Sequence, residues 1–183
     1  MTAGTTIEPL APLVAYLDAL TGRASVAELK RHITDLELTV ADLSDHIRFG
    51  QDQYVRNLIC SGRWYHVLAL CWRSGQRSPI HNHAGSTCGF RVLTGVATET
   101  RFVPTPSGHI KAVASHDMTV GTLAVAEDRE IHQVSNLQAS DTDLITLHVY
   151  SPPLIKMDMY SLTDAAIGEF RPVFLEHTSG SGI

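Results

Sequence analysis

Cysteine is scarce in this chain. Cys60, Cys71 and Cys88 are three among 183 residues, an odd number without paired spacing, which excludes the disulfide framework of a small secreted protein. Basic charge is short as well: 14 Lys and Arg against 19 Asp and Glu leave a net charge of -5 and no basic footprint for nucleic acid. Long hydrophobic runs are missing. Stretches such as His66 to Trp72 are far shorter than a bilayer span, and Met1-Thr2-Ala3-Gly4 is not a charged segment leading into an apolar one. Neither a repeat of solenoid length nor an interior low-complexity linker occurs. With 44% hydrophobic and 18% charged residues, a chain of this length can bury one full core but is short for two. The expectation is a cytoplasmic protein of one domain, with neither membrane nor nucleic acid as partner.

What is present is ordered as helices first and strands after. Pro9 to Leu20 carries apolar residues at helical intervals. Ser25-Val26-Ala27-Glu28 is a capping box that opens a second helix to about Leu36, and Thr39-Val40-Ala41-Asp42 caps a third to about Phe49. From Tyr54 the pattern changes to short β-rich runs: Val55 to Ile59, Trp64 to Trp72, Cys88 to Thr94, Ala97 to Val103, His109 to Ser115, Thr122 to Ala126, His132 to Asn136 and Asp143 to Ser151. Turn signals such as Ser74-Gly75, Thr94-Gly95, Pro104 to Gly108 and Val120-Gly121 separate them. Many short strands without intervening helices indicate a closed sandwich or barrel, so the fold expected is mainly β, preceded by N-terminal α-helices. One domain over 1–183 would then comprise helices in 1–50, a barrel in 54–153 and a C-terminal extension in 154–183 that frays after Phe174.

Within that frame His81 and His83 are the most informative pair. Side chains on an extended strand alternate faces, so two His one residue apart project to the same side and can share a metal ion. His132, about fifty residues downstream and flanked by β-type residues, supplies a third candidate ligand. Three neutral imidazoles bring no ligand charge, suit Fe(II), Zn(II), Ni(II) or Cu(II), and leave coordination positions open. The ligand set alone does not choose among these metals. His32, His46, His66, His109, His116 and His177 lack such a context and are read as incidental, and Cys60 and Cys71 as small buried hydrophobes.

The surroundings of the three histidines carry a resemblance. Gly75 lies six residues before His81, Cys88 five after His83, Gly95 seven after that, Gly121 eleven before His132, and Asn136 four after it. This resembles the two-part metal signature of the cupin superfamily. Cys88 stands where that signature has a Glu ligand, and Glu127 and Arg129 where it has Pro and Gly. A three-His set without the Glu points to the thiol dioxygenase branch. From Tyr54 to Pro153 the chain resembles the cysteine dioxygenase family through Tyr54-Val55-Arg56-Asn57-Leu58, Leu70-Cys71-Trp72, Ile80-His81-Asn82-His83, Cys88, Leu93-Thr94-Gly95, Glu99-Thr100, His132 with Asn136, and Leu147-His148-Val149-Tyr150-Ser151-Pro152-Pro153. No single word decides; their order and spacing do.

The resemblance implies a cupin (jelly-roll-like) β-barrel in which His81, His83 and His132 hold Fe(II), and oxidation of L-cysteine by O2 to cysteine sulfinic acid. Metal binding lowers a thiol's pKa and sets sulfur beside dioxygen on one ion. Arg56 becomes the carboxylate anchor, a role its planar fork suits; Arg at this place accompanies cysteine, whereas Gln marks relatives that prefer 3-mercaptopropionate. Tyr54 would line the substrate pocket and Trp72 pack beneath it. Tyr150 would direct its hydroxyl at bound thiolate and oxygen, with His148 orienting that hydroxyl and contacting the substrate carboxylate; Thr146 stands where the family's outer hydroxyl is usually Ser. Cys88 matches the cysteine that animal members crosslink to the active-site tyrosine, while many bacterial members have Gly. A Cys88 to Tyr150 thioether and a free thiol are both open, as is the isomer of the Ser151-Pro152 bond. The partners implied are a small thiol and O2, and the chain is expected to be a monomer. The alternatives are the same chemistry on 3-mercaptopropionate or cysteamine, and a cupin that binds metal without redox catalysis.

Overall fold

The computed structural model describes residues 7–176. Two helices, α1 (Ala11–Asp18) and α2 (Val26–Thr34), precede twelve strands: β1 (Val55–Gly62), β2 (Tyr65–Trp72), β3 (Ile80–His81), β4 (Thr87–Thr94), β5 (Ala97–Pro104), β6 (Ile110–Met118), β7 (Leu123–Ala126), β8 (Ile131–Ser135), β9 (Leu144–Ser151), β10 (Met157–Tyr160), β11 (Gly168–Phe170) and β12 (Leu175–Glu176). They form two six-stranded sheets, ordered β12-β1-β2-β9-β4-β7 and β11-β10-β3-β8-β5-β6. The mainly β fold expected from the sequence is thus present, with the crossovers of a double-stranded β-helix. No helix among the described residues is long and apolar enough to cross a membrane.

Alternation explains why β2 and β9 read as unbroken apolar runs. Tyr65, Val67 and Ala69 of β2, with Leu147 and Val149 of β9, join Leu13, Leu17, Leu29 and Ile33 of the helices in one core. Leu68, Leu70 and Trp72, with Tyr150, face the other way into a second core with Cys88, Phe90 and Val134. Both faces of β2 and β9 are therefore largely buried, and every residue of β9 is. The helices cover the outer face, and the space between the sheets is left for the site. Gly89 makes that cover possible: a Cβ there would meet Ile33 Cδ1 at 2.7 Å and Leu29 Cδ2 at 3.3 Å. Ser25 caps α2 as its sequence requires, its hydroxyl accepting from Glu28 N at 3.2 Å, while the Glu28 side chain turns to Arg31 instead of back to Ser25. Hydrogen bonds also fix the helical layer to the barrel, among them Ala24 N donating to Ser151 Oγ at 2.9 Å and Thr87 Oγ1 donating to Ala24 O at 2.8 Å.

The third expected helix is a short 3₁₀ segment, Ala41–His46. Thr39 caps it in reverse, donating from N and Oγ1 to Asp42 Oδ2. Leu43 is the segment's one buried residue, so a longer helix would have no apolar stripe to bury. The C-terminal extension is part of both sheets: β10 pairs with β3, β11 with β10, and β12 runs parallel to β1. Leu175–Glu176, in the tail expected to fray after Phe174, form β12; 177–183, like the Met1-Thr2-Ala3-Gly4 stretch, lies outside the described residues. The Ser151-Pro152 peptide is cis.

Candidate metal centre and thiol pocket

Strand register brings the three histidines together. His81 on β3 and His132 on β8 are direct partners across an antiparallel pair. His83 follows on the turn after β3, held by its N–H donating to Asp128 O at 3.1 Å. Between them Asn82 faces away, donating through Nδ2 to Asp158 Oδ2 at 2.8 Å and Tyr160 OH at 3.2 Å while its Oδ1 accepts from Asp158 N. That anchoring turns both neighbouring imidazoles the same way. Ring centroids lie 4.8 Å apart for His81 and His132, 4.8 Å for His83 and His132, and 5.6 Å for His81 and His83. One ring nitrogen from each falls within 4.8 Å of the others, and all three residues are buried.

The donor chemistry fits a metal ion. His81 Nδ1 meets Pro79 O at 2.9 Å and His132 Nδ1 meets Glu99 Oε1 at 2.8 Å, which leaves the Nε2 lone pair of each free. Among the described residues neither ring nitrogen of His83 meets a partner in full hydrogen-bond geometry, only the Glu127 backbone carbonyl comes near the ring, and at least one nitrogen is left without a partner, a state that buried polar atoms rarely keep. Burial, and then the neighbouring His132, pushes His81 down to about 3; burial, His132 and His81 push His83 well below its usual value. His81 and His83 are therefore unprotonated ligands near neutral pH.

Glu99, one of the residues that carry the resemblance but without an expected role, stands behind His132. Its side chain is 2% exposed, and its Oε2 lies 3.3 Å from both Arg101 Nε and His116 Nε2. Burial alone would raise the carboxyl, but the hydrogen bond from His132 and the interactions with Arg101 and His116 hold it below the usual carboxylate range.

A small pocket adjoins the histidines, lined also by Tyr54, Arg56, Trp72, Cys88, His148 and Tyr150. Arg56 is buried, yet its Nε and Nη2 make no hydrogen bond, and its guanidinium carbon sits 5.2 Å over the Tyr150 ring. No lining side chain is acidic. Tyr54 stacks on Trp72 with centroids 4.1 Å apart, so Trp72 is both wall and support. Trp72 Nε1 donates to Thr146 Oγ1 at 3.0 Å, Thr146 Oγ1 lies 3.0 Å from His148 Nε2, and His148 Nδ1 lies 3.1 Å from Tyr150 OH. Phe90 stacks on His148 at 5.1 Å. Burial first, then Arg56, holds His148 well below its usual pKa; burial first raises the Tyr150 hydroxyl and the Cys88 thiol, so both stay protonated. Cys88 and Tyr150 are direct partners across β4 and β9. The structure thus brings His81, His83, His132, Arg56, Tyr54, Cys88, His148 and Tyr150 around one pocket.

Two sheets closed around a buried three-histidine face define a metal-binding cupin. The chain belongs to the cysteine dioxygenase type I family, whose model it matches over residues 2–163, and is therefore an oxidoreductase of the dioxygenase class. It is 28% identical to cysteine dioxygenase type 1 of Bos taurus over 180 residues, 95% of this chain and 88% of that protein. To the protein of the same description from Homo sapiens it is 28% identical over 150 residues, 79% of this chain and 74% of the relative. In fold alone it is similar to a double-stranded β-helix protein of Klebsiella pneumoniae, with TM-score 0.54 and 15% identity over 64% of this chain and 88% of that one.

Proposed function

We propose that the chain is an Fe(II)-dependent cysteine dioxygenase, converting L-cysteine and O2 to cysteine sulfinic acid with both oxygen atoms entering at sulfur. The observation that carries this reading is the buried Arg56 guanidinium with unused donors beside three metal-ready imidazoles. Ferrous iron on His81, His83 and His132 would supply a shared binding point for thiolate and dioxygen. Arg56 binds the substrate carboxylate through its fork, and the low-dielectric wall of Tyr54 and Trp72 strengthens that pair. A ligand lacking a carboxylate, such as cysteamine, leaves the cation unpaired.

Around the reacting atoms the protein's task is to orient one hydroxyl. Trp72 is a donor only, so it occupies one lone pair of Thr146 Oγ1 and favours Thr146 donating to His148 Nε2. Neutral His148 then carries its proton on Nδ1 and donates to the Tyr150 oxygen. The Tyr150 proton is left for the pocket, where it steadies charge developing on sulfur and oxygen. Thr146 performs the role of the usual Ser because the hydroxyl is retained. The register of Cys88 with Tyr150 also supports a thioether: a carbon–sulfur bond forms, the thiol and ring hydrogens leave, and O2 accepts the two electrons during turnover.

The absence of an acidic side chain among the described lining residues favours a second substrate reading, because no carboxylate there selects for the amine of cysteine over 3-mercaptopropionate. Oxygen uptake by anaerobically Fe(II)-loaded protein with L-cysteine, 3-mercaptopropionate and cysteamine in parallel separates the readings. The expected result is uptake stoichiometric with L-cysteine. Uptake with 3-mercaptopropionate alone changes the substrate, and none with any thiol leaves a non-redox cupin.

A further inference from the structure

Three imidazoles are a neutral ligand set, and the site offers a metal no charge of its own. They are also unequal. His81 and His83 have only neutral backbone carbonyls beside their rings, those of Pro79 and Glu127, whereas His132 Nδ1 meets the carboxylate of Glu99. Glu99 reaches the interior because it alternates with Ala97 along β5, while β8 beside it brings His132 to the same face. A carboxylate this buried is costly unless it is bonded, and it has three partners: His132 on Oε1, and the half-exposed Arg101 and His116 on Oε2.

We propose that Glu99 is the anionic positioning residue of the metal centre, fixing His132 with its proton on Nδ1 and passing negative charge through that imidazole to the ion. This rests on the metal-dependent reading above. The carboxylate that cupins of the usual pattern use as a direct ligand, and that Cys88 replaces here, returns one hydrogen bond further out. His132 is then the strongest donor of the three, and Arg101 and His116 temper how much charge Glu99 delivers. Sequence spacing had left His116 incidental; its place opposite Glu99 on β6 makes it part of this arrangement.

The test titrates the full chain with Co(II) against a chelator, reading dissociation constants and the visible ligand-field spectrum without any substrate. Glu99→Gln keeps a neutral acceptor for His132 and removes the charge; Glu130→Gln removes a nearby carboxylate that pairs with Arg101. The expected result is about 10–100-fold weaker Co(II) binding and a shifted spectrum for Glu99→Gln, with Glu130→Gln close to wild type. Equal losses in both variants, or wild-type affinity in Glu99→Gln, would overturn the proposal. Melting of the metal-free proteins reports on folding. If Glu99→Gln melts early, the same substitution in a His132→Ala background decides: no further loss of affinity supports action through His132, and an undiminished loss refutes it. A wild-type chain that binds no Co(II) or Fe(II) would instead remove the metal-dependent reading itself.

Discussion

Replacing Arg56 with Met is expected to move stability and catalysis in opposite directions. Arg56 is 5% exposed with two donor nitrogens unused, so the metal-free protein holds a buried cation without an anion. An uncompensated buried charge costs about 3–5 kcal/mol. Its position 5.2 Å over the Tyr150 ring returns about 1–2 kcal/mol of that. Met keeps the aliphatic stem and removes the charge, so the substrate-free variant should gain about 1–4 kcal/mol. For a chain of this size that raises the melting temperature by roughly 2–4 °C per kcal/mol. With substrate the sign reverses: losing the partner of a buried carboxylate costs about 2–5 kcal/mol, a rise in KM from roughly 30-fold to several thousand-fold. Thermal melting of the metal-free protein and oxygen-electrode kinetics on L-cysteine read the two effects separately. A variant that melts earlier and keeps its KM would make Arg56 a structural cation and remove it from the site.

Acid should weaken the metal-free fold in a defined direction. Burial keeps His81, His83 and His148 neutral when folded, while their unfolded counterparts titrate near 6.5. Below that pH the unfolded chain binds more protons, so each histidine removes about 1.4 kcal/mol of stability per pH unit, for His81 down to about 3. Denaturant titrations at pH 7 and 5 check this, and equal stabilities would contradict it. Thr146→Val should lower kcat by about 10-fold or more with little change in KM, whereas Thr146→Ser should restore it, because only the hydroxyl links Trp72 to His148. Intact mass after repeated turnover should fall by two hydrogens if the Cys88 thioether forms, and Cys88→Ser should abolish that loss; an unchanged mass in the parent protein argues for a free thiol.

How far the sequence carried depends on the kind of signal. The apolar alternation of β2 and β9 and the spacing of His81, His83 and His132 are local patterns, and the structure has strands and a three-histidine cluster at those places. Strands of two or three residues, β3, β11 and β12, have no period to detect and exist because a neighbour supplies their hydrogen bonds. Ala41–His46 had a helical start but only Leu43 to bury. Glu99 did leave a trace, as a charge in phase with Ala97 on an otherwise inward face. A register shift between Arg101 and Phe102 then flips the alternation and hides it. The pairing of Glu99 with His116 is set wholly by strand order, which no spacing along the chain reveals.

Isotope incorporation tests the proposed chemistry most directly. Fe(II)-loaded protein turned over with L-cysteine under 18O2 should yield cysteine sulfinic acid carrying both labelled atoms, while the Zn(II)-loaded protein should yield none. A sulfinate with one label or no label, or oxygen consumed without sulfinate, would contradict dioxygenation at this site.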